Sequence, residues 1–268
     1  MPGSGVEGTL YASREKAETH RKTMDRSLPR AILFDLDDTI LAFSDTADEA
    51  WPVICEQFAP DLDVSAATLL QSINETRDRF WRDSESNKWG RHDLVGARRK
   101  IVADAIRGLN SEIRDLHLEM VGAYAKMRQE LLRPFPGAIE TLDHLKAEGV
   151  SLALLTNGDA EGQRNKVERF ELGSRFDCIL IEGEFGVGKP EKRVYHHALD
   201  QVESSPENSW MVGDNLEWEV IAPKRLGFTC VWRDKRGTGL PEGLPVTPDA
   251  IIDQFSEVSD LIESSVLA

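Results

Sequence analysis

Asp35-Leu36-Asp37-Asp38-Thr39 places two acids one residue apart, directly after the apolar run AILF. One acid of such a pair can attack an electrophile or bind a metal. The other, turned aside, can shuttle a proton. Acid-rich turns also cap helices, so this segment alone leaves both readings open. Thr156-Asn157-Gly158 offers a hydroxyl, an amide and a glycine that permits close backbone approach, which together could cradle an oxyanion. The same three residues would also suit an ordinary strand-to-helix turn. In the segment Gly183-Glu184-Phe185-Gly186-Val187-Gly188-Lys189-Pro190, three glycines allow tight folding and Lys189 is expected to open the next helix. A lysine there opposes the helix macrodipole, a local cost that suggests a cation wanted for an anion. Gly213-Asp214-Asn215, followed by Glu217 and Glu219, gathers carboxylates suited to a hard ion such as Mg²⁺. The alternative is helix-start capping by Asp214 or Asn215.

Each cluster follows an apolar run that reads as a buried strand: 31–34, 150–155, 178–181 and 210–212, with further runs at 228–232 and 250–252. Helical patterns lie between most of them. Ile139, Leu142 and Leu145 mark one at 138–148, and Val194, Ala198 and Val202 mark another at 191–202. Strand–helix alternation predicts a doubly wound, parallel α/β sheet. Ligands of such sheets sit beyond the carboxyl ends of the strands, where all four clusters fall.

The alternation stops between residues 44 and 133, where the pattern is all helix. Ile113, Leu116, Met120, Tyr124, Met127 and Leu131 step by three and four, as do Leu94, Ala97, Ile101 and Ala105, and Leu69, Ile73 and Phe80. The chain therefore reads as a core domain of 28–43 and 134–268 with an inserted helical domain of 44–133. Residues 1–27 carry no apolar stripe and read as a disordered tail. The net charge is −15, from 32 Lys+Arg against 47 Asp+Glu. Such a surface repels nucleic-acid backbones. Residues 77–100 reverse the trend, with eight basic against four acidic residues. No apolar run is long enough to span a bilayer, and the segment MPGSGVEGTLYASREK has no apolar core like that of a secretory signal. Cys55, Cys178 and Cys230 show neither metal-ligand nor disulfide spacing and read as reduced core thiols. The expectation is a cytoplasmic protein, by default a monomer, that binds neither membrane nor nucleic acid.

Taken in order, FDLDDT, LLTNG, GVGKP and VGDN resemble the motifs of the haloacid dehalogenase (HAD) superfamily. The closer likeness is to its phosphatase-like members with a helical cap inserted after the first motif. The resemblance covers about residues 30–255. It implies a Rossmann-like core with an all-helical cap, and a Mg²⁺-dependent phosphomonoester hydrolase acting on a small phosphorylated metabolite through an aspartyl phosphate. Asp35 would be the nucleophile and Asp37 the general acid/base. Thr156 and the Asn157 backbone would bind the phosphoryl group, and Lys189 would steady Asp35 and the transferring oxygens. Asp214 would hold Mg²⁺ with Asp35 and the backbone carbonyl of Asp37. The family usually has a second Asp five residues after the position of Asp214. Here that position is Glu219, so a metal contact through water from Glu219, or from Glu217, is expected instead.

The cap would close over the site and select the leaving group. Arg77, Arg82, Trp89, Arg91 and His92 are the candidate selectors, set against a reading of the same residues as surface charge or packing. A β-phosphoglucomutase-like phosphotransferase shares these core motifs and remains an alternative, as does a catalytically silent binding protein on the same fold. A dehalogenase would lack the acid at Asp37. A phosphonatase would need an activated cap lysine, for which Lys88 and Lys100 give no sign.

Overall fold

The computed structural model describes residues 28–109 and 115–266. The segment 1–27, read as a tail, and Ile113 of the helical stripe lie outside the described residues. The described chain divides into two compact units, one built from the described residues up to Ala42 together with those from Pro134 onward, the other spanning Phe43–Arg133.

The first unit holds the sheet. Its strands are β1 (Ala31–Phe34), β2 (Ser151–Thr156), β3 (Cys178–Ile181), β4 (Ser209–Gly213), β5 (Thr229–Arg233) and β6 (Ala250–Ile252). All pair in parallel, in the order β3-β2-β1-β4-β5-β6. β1 is central and buried along its whole length. Its alternating side chains serve two faces. Ala31 and Leu33 join a core with Ala153, Leu155, Val194, Tyr195 and Phe228. Phe34 packs on Phe176 and Phe255, with ring centroids 6.4 and 5.3 Å away. A strand apolar on both faces is what a sheet covered by helices on both sides requires. Winding reverses at β1, so the ends of β1, β2 and β4 form the switch point where such sheets bind ligands.

Helices Ala138–Ala147 and Lys192–Gln201 agree with the sequence expectation. Helix Ala160–Arg169 does not follow from periodicity, because only Gln163 and Val167 on it are buried. It is started by Asp159, whose carboxylate accepts the Gly162 N–H at 2.7 Å.

The second unit is helical: Asp45–Phe58, Ala66–Arg82, Ser84–His92, Leu94–Gly108 and Leu116–Leu131. Ser65, Asp83 and Asp93 cap three of these by accepting N–H groups three residues on. Its core joins Trp51, Ile54, Phe58, Leu69, Ile73, Ile106, Met120 and Tyr124. The Met and Tyr stripe is thus packing, as its period predicted. Cys55, Cys178 and Cys230 are buried free thiols. Among the described residues, no helix is long and apolar enough to cross a membrane.

Candidate active site

Four strand ends bring the motif residues together. After β1 the backbone turns at once. The Asp38 N–H donates to Leu41 O at 2.7 Å, and Asp38 itself adopts a left-handed φ of 64°. This turn leaves Asp35 and Asp37 on the same side of the sheet end, and the two carboxylates are close enough to repel.

Lys189 is the centre of the charge arrangement. Its ammonium is fully buried and lies 2.6 Å from Asp35 Oδ1 and 2.7 Å from Glu219 Oε1. The first contact is a hydrogen bond, whereas the second is a charge pair without good hydrogen-bond alignment. Burial pulls the Lys189 pKa down, but Asp35 and Glu219 outweigh it and hold the amine charged. Among the described residues, no donor reaches Asp35 Oδ2. One oxygen of Asp35 is therefore anchored while the other is left for chemistry.

Lys189 does not open a helix. The next helix begins only at Lys192, after a cis Lys189–Pro190 bond. The opposition to a macrodipole expected from sequence is therefore replaced by pairing with two buried carboxylates. Asn157 fixes the lysine by its backbone: the Asn157 amide donates to Lys189 O at 2.7 Å and its Oδ1 accepts the Lys189 N–H at 2.8 Å. Gly188 makes the approach possible, since an added Cβ would sit 2.5 Å from Asn157 Oδ1.

Thr156 is buried at the end of β2, and its hydroxyl oxygen accepts from the Gln163 amide at 2.5 Å. The same amide donates to Asn157 O at 2.8 Å and to Asp37 Oδ2 at 3.1 Å. Lys166, one turn further along helix Ala160–Arg169, donates to both Asp37 oxygens at 2.8 and 2.6 Å. Burial raises the Asp37 pKa, and Lys166 opposes the shift. Neither Gln163 nor Lys166 was singled out from the sequence. The available signal was their three-residue spacing on a helix that directly follows the Thr156 turn.

At the end of β4, Asp214 and Asn215 separate in role. Asn215 Oδ1 accepts the Glu217 and Trp218 N–H groups and so caps the following π-helical turn, Leu216–Ile221. The Asp214 side chain makes no such cap. Burial, with the charges of Asp35 and Asp38, pushes its pKa up to about 7. Glu219 is completely buried, its Oε2 accepting the Asn215 N–H at 2.8 Å and its Oε1 facing Lys189. Both oxygens are committed to the protein. This sets Glu219, expected on the metal side of the site, directly against the Lys189 ammonium. Glu217 is exposed on the turn.

The end of β5 also contributes, unforeseen from sequence. Arg233 is buried and donates to the carbonyls of Asp38 and Thr39 at 2.8 and 3.0 Å, while its guanidinium lies 3.6 Å from the Phe135 ring centroid. Lys235 meets Asp38 Oδ1 at 2.6 Å. These two cations pin the turn that carries Asp35 and Asp37.

Among the described residues, no three His, Cys, Asp or Glu side chains converge as a metal cluster. A cation here would take Asp35, Asp214, the Asp37 carbonyl and water. Mg²⁺ accepts such a set, one or two carboxylates with several waters. The raised pKa of Asp214 marks buried negative charge that a cation would offset, so the residues fit the ion.

In the helical unit, Arg77 lies 3.5 Å from Asp78, and both are well exposed. Arg82 is exposed, and Trp89 is exposed with its ring 6.0 Å from Phe80. No hydrogen bond or ion pair among the described residues joins these three. The side chains of Arg91 and His92 lie outside the described residues.

A doubly wound parallel sheet with an acid pair, a buried threonine, a buried lysine and an aspartate at adjacent strand ends, interrupted after β1 by helices, defines a HAD-type hydrolase core. The chain belongs to the haloacid dehalogenase-like hydrolases, whose family model matches residues 29–227. Glyceraldehyde 3-phosphate phosphatase of Pyrococcus furiosus is 30% identical over 76% of this chain and 80% of its own length. Phosphoserine phosphatase of Thermus thermophilus is 38% identical, but over 46% of this chain and 49% of its own, so the chain spans about half of that relative. Among solved structures, the magnesium-bound YfnB from Bacillus subtilis superposes with a TM-score of 0.66 at 18% identity, over 88% of this chain and 99% of that one, which shows a shared fold.

Proposed function

We propose that this hydrolase is a Mg²⁺-dependent phosphomonoesterase acting on a small phosphorylated metabolite through an aspartyl phosphate. The observation that carries the reading is Asp35, one oxygen anchored 2.6 Å from the buried Lys189 and the other left without a partner among the described residues. Asp35 Oδ2 attacks phosphorus and the ester oxygen leaves. Asp37 donates a proton to that oxygen, then takes one from the water that hydrolyses the aspartyl phosphate. Thr156 donates its hydroxyl hydrogen to a phosphoryl oxygen, while Lys189 keeps Asp35 oriented and faces the developing charge. Lys189 is already shared by two carboxylates, so it does not by itself offset an incoming phosphate dianion. A bound Mg²⁺, held by Asp35, Asp214 and the Asp37 carbonyl, supplies that charge.

The phosphatase relatives support the reading, and their two different named substrates leave the leaving group open. The test is hydrolysis of an aryl phosphate with release of inorganic phosphate. Turnover should vanish with EDTA, return with Mg²⁺ and vanish in Asp35→Asn. Metal-independent turnover, or Asp35→Asn at the wild-type rate, would refute it. Transfer to a sugar without phosphate release would instead mark a phosphotransferase.

A further inference from the structure

Arg98 stands on helix Leu94–Gly108 of the helical unit, half-buried. Its guanidinium carbon lies 4.9 Å from the Tyr124 ring centroid. Trp51 stacks on that same ring at 4.1 Å and an interplanar angle of 20°, so the platform beneath Arg98 is rigid. A cation over a ring face uses charge and leaves the five N–H donors of a guanidinium to be satisfied elsewhere. No hydrogen bond or ion pair from Arg98 exists among the described residues. The sole acid of its helix, Asp104, is taken by Lys100 at 2.9 Å and Arg107 at 2.7 Å.

A second guanidinium stands beside it. Arg128 lies 5.7 Å from the Tyr124 centroid and 4.1 Å from that of Phe43. It is tied down by neutral acceptors, Thr46 Oγ1 and Phe43 O, each at 2.8 Å. Neither arginine has a carboxylate partner among the described residues. Burial, together with the like charge of Arg128, disfavours the charged form of Arg98, and Tyr124 only partly opposes this. Two cations gathered on one aromatic platform without a counter-ion lack the one partner that would satisfy both charge and donors.

We propose that Arg98, backed by Arg128, is an oxyanion-binding subsite of the helical unit that takes a carboxylate or a phosphate group in bidentate fashion. A planar fork over a fixed ring suits such a group better than a point charge would. The anion is a free small acid, and its binding does not rest on the phosphatase reading.

The experiment reads binding. Titration calorimetry of the full chain with succinate, and separately with sulfate, tests binding in the wild type, Arg98→Met and Arg98→Lys. At least one anion should bind the wild type, weaken about tenfold or more in Arg98→Met, and recover only in part in Arg98→Lys, whose ammonium lacks the fork. Thermal melts of the three proteins separate this from misfolding. Absence of binding to the wild type, or equal binding by a folded Arg98→Met, overturns the proposal. Absence of all turnover with binding intact removes the phosphatase reading and leaves the subsite standing.

Discussion

At the strand ends, Asp35 meets Lys189 across 154 residues of sequence, Asp37 meets Lys166 across 129 and Asp38 meets Lys235 across 197. In the helical unit, Lys100, Asp104 and Arg107 pair within one helix, as do Lys126 and Glu130. The long-range pairs are buried or nearly so, and the local ones are mostly exposed. Long-range pairing holds each charge from an independent part of the sheet, which is what a preorganised reaction site needs. Local pairing solvates a helix face and contributes little to stability.

Substitutions can break this contrast, beginning where the effect is greatest. Asp35→Asn should reduce phosphatase turnover on the order of 10⁴-fold or more, while the melting temperature stays close to wild type. Lys189→Met should cost both properties. It leaves Asp35 and Glu219 as buried carboxylates without their cation, a loss of about 3–5 kcal/mol in chemical denaturation, with turnover abolished. Lys166→Met should separate the two effects, lowering kcat up to about 10²-fold by freeing the Asp37 carboxylate, with KM nearly unchanged. Equal changes in kcat and KM would show that Lys166 serves only the fold.

Smaller effects sharpen the other half of the comparison. Arg128→Met should destabilise by about 1.5–3 kcal/mol, since it removes charge-assisted bonds to Thr46 and the Phe43 carbonyl. Asp104→Ala, in the exposed triad, should cost roughly 0.5 kcal/mol or less. If the two urea midpoints shift equally, the distinction between partly buried and exposed charge fails. Back in the sheet unit, Asp177 gives the mildest case. Burial raises its pKa, but hydrogen bonds from Lys146 and the Leu152 N–H outweigh this and lower it below the usual carboxylate range. Its stabilisation is present above the unfolded-state value and is lost as pH falls through the folded one. Asp177→Asn should therefore flatten the acid side of a stability–pH profile.

The strands were legible in the sequence because each is a short apolar run with a turn after it. Asp35, Asp37, Thr156, Asn157, Lys189 and Asp214 were legible because strand ends in such a sheet converge. Three features were not. Lys166 and Gln163 sit on a helix whose exposed face is polar and whose inner face meets the site, so no apolar stripe announces it. Arg233 is the polar last residue of β5, and only the fold reveals the carbonyls of Asp38 and Thr39 beside it. Glu219 sits at the spacing expected of a metal-side acid, and only the fold reveals Lys189 2.7 Å from it. Spacing in sequence selects candidates, and the direction of a side chain at a turn then decides the role.

Leu41 and Pro134 form an antiparallel bridge, and the Phe135 N–H donates to Ile40 O at 2.9 Å. The chain thus leaves the sheet unit and re-enters it at nearly the same point. For the sheet, the intervening segment Phe43–Arg133 is a loop whose ends are already joined. Lengthening a closed loop adds only a logarithmic entropy term, about 0.6 kcal/mol for each doubling. The strands on either side need not shift register to accept a module of another size. This junction is therefore a natural splice point: an unrelated helical module with adjacent termini, grafted between Ala42 and Pro134, should leave the pairing of Asp35 with Lys189 intact.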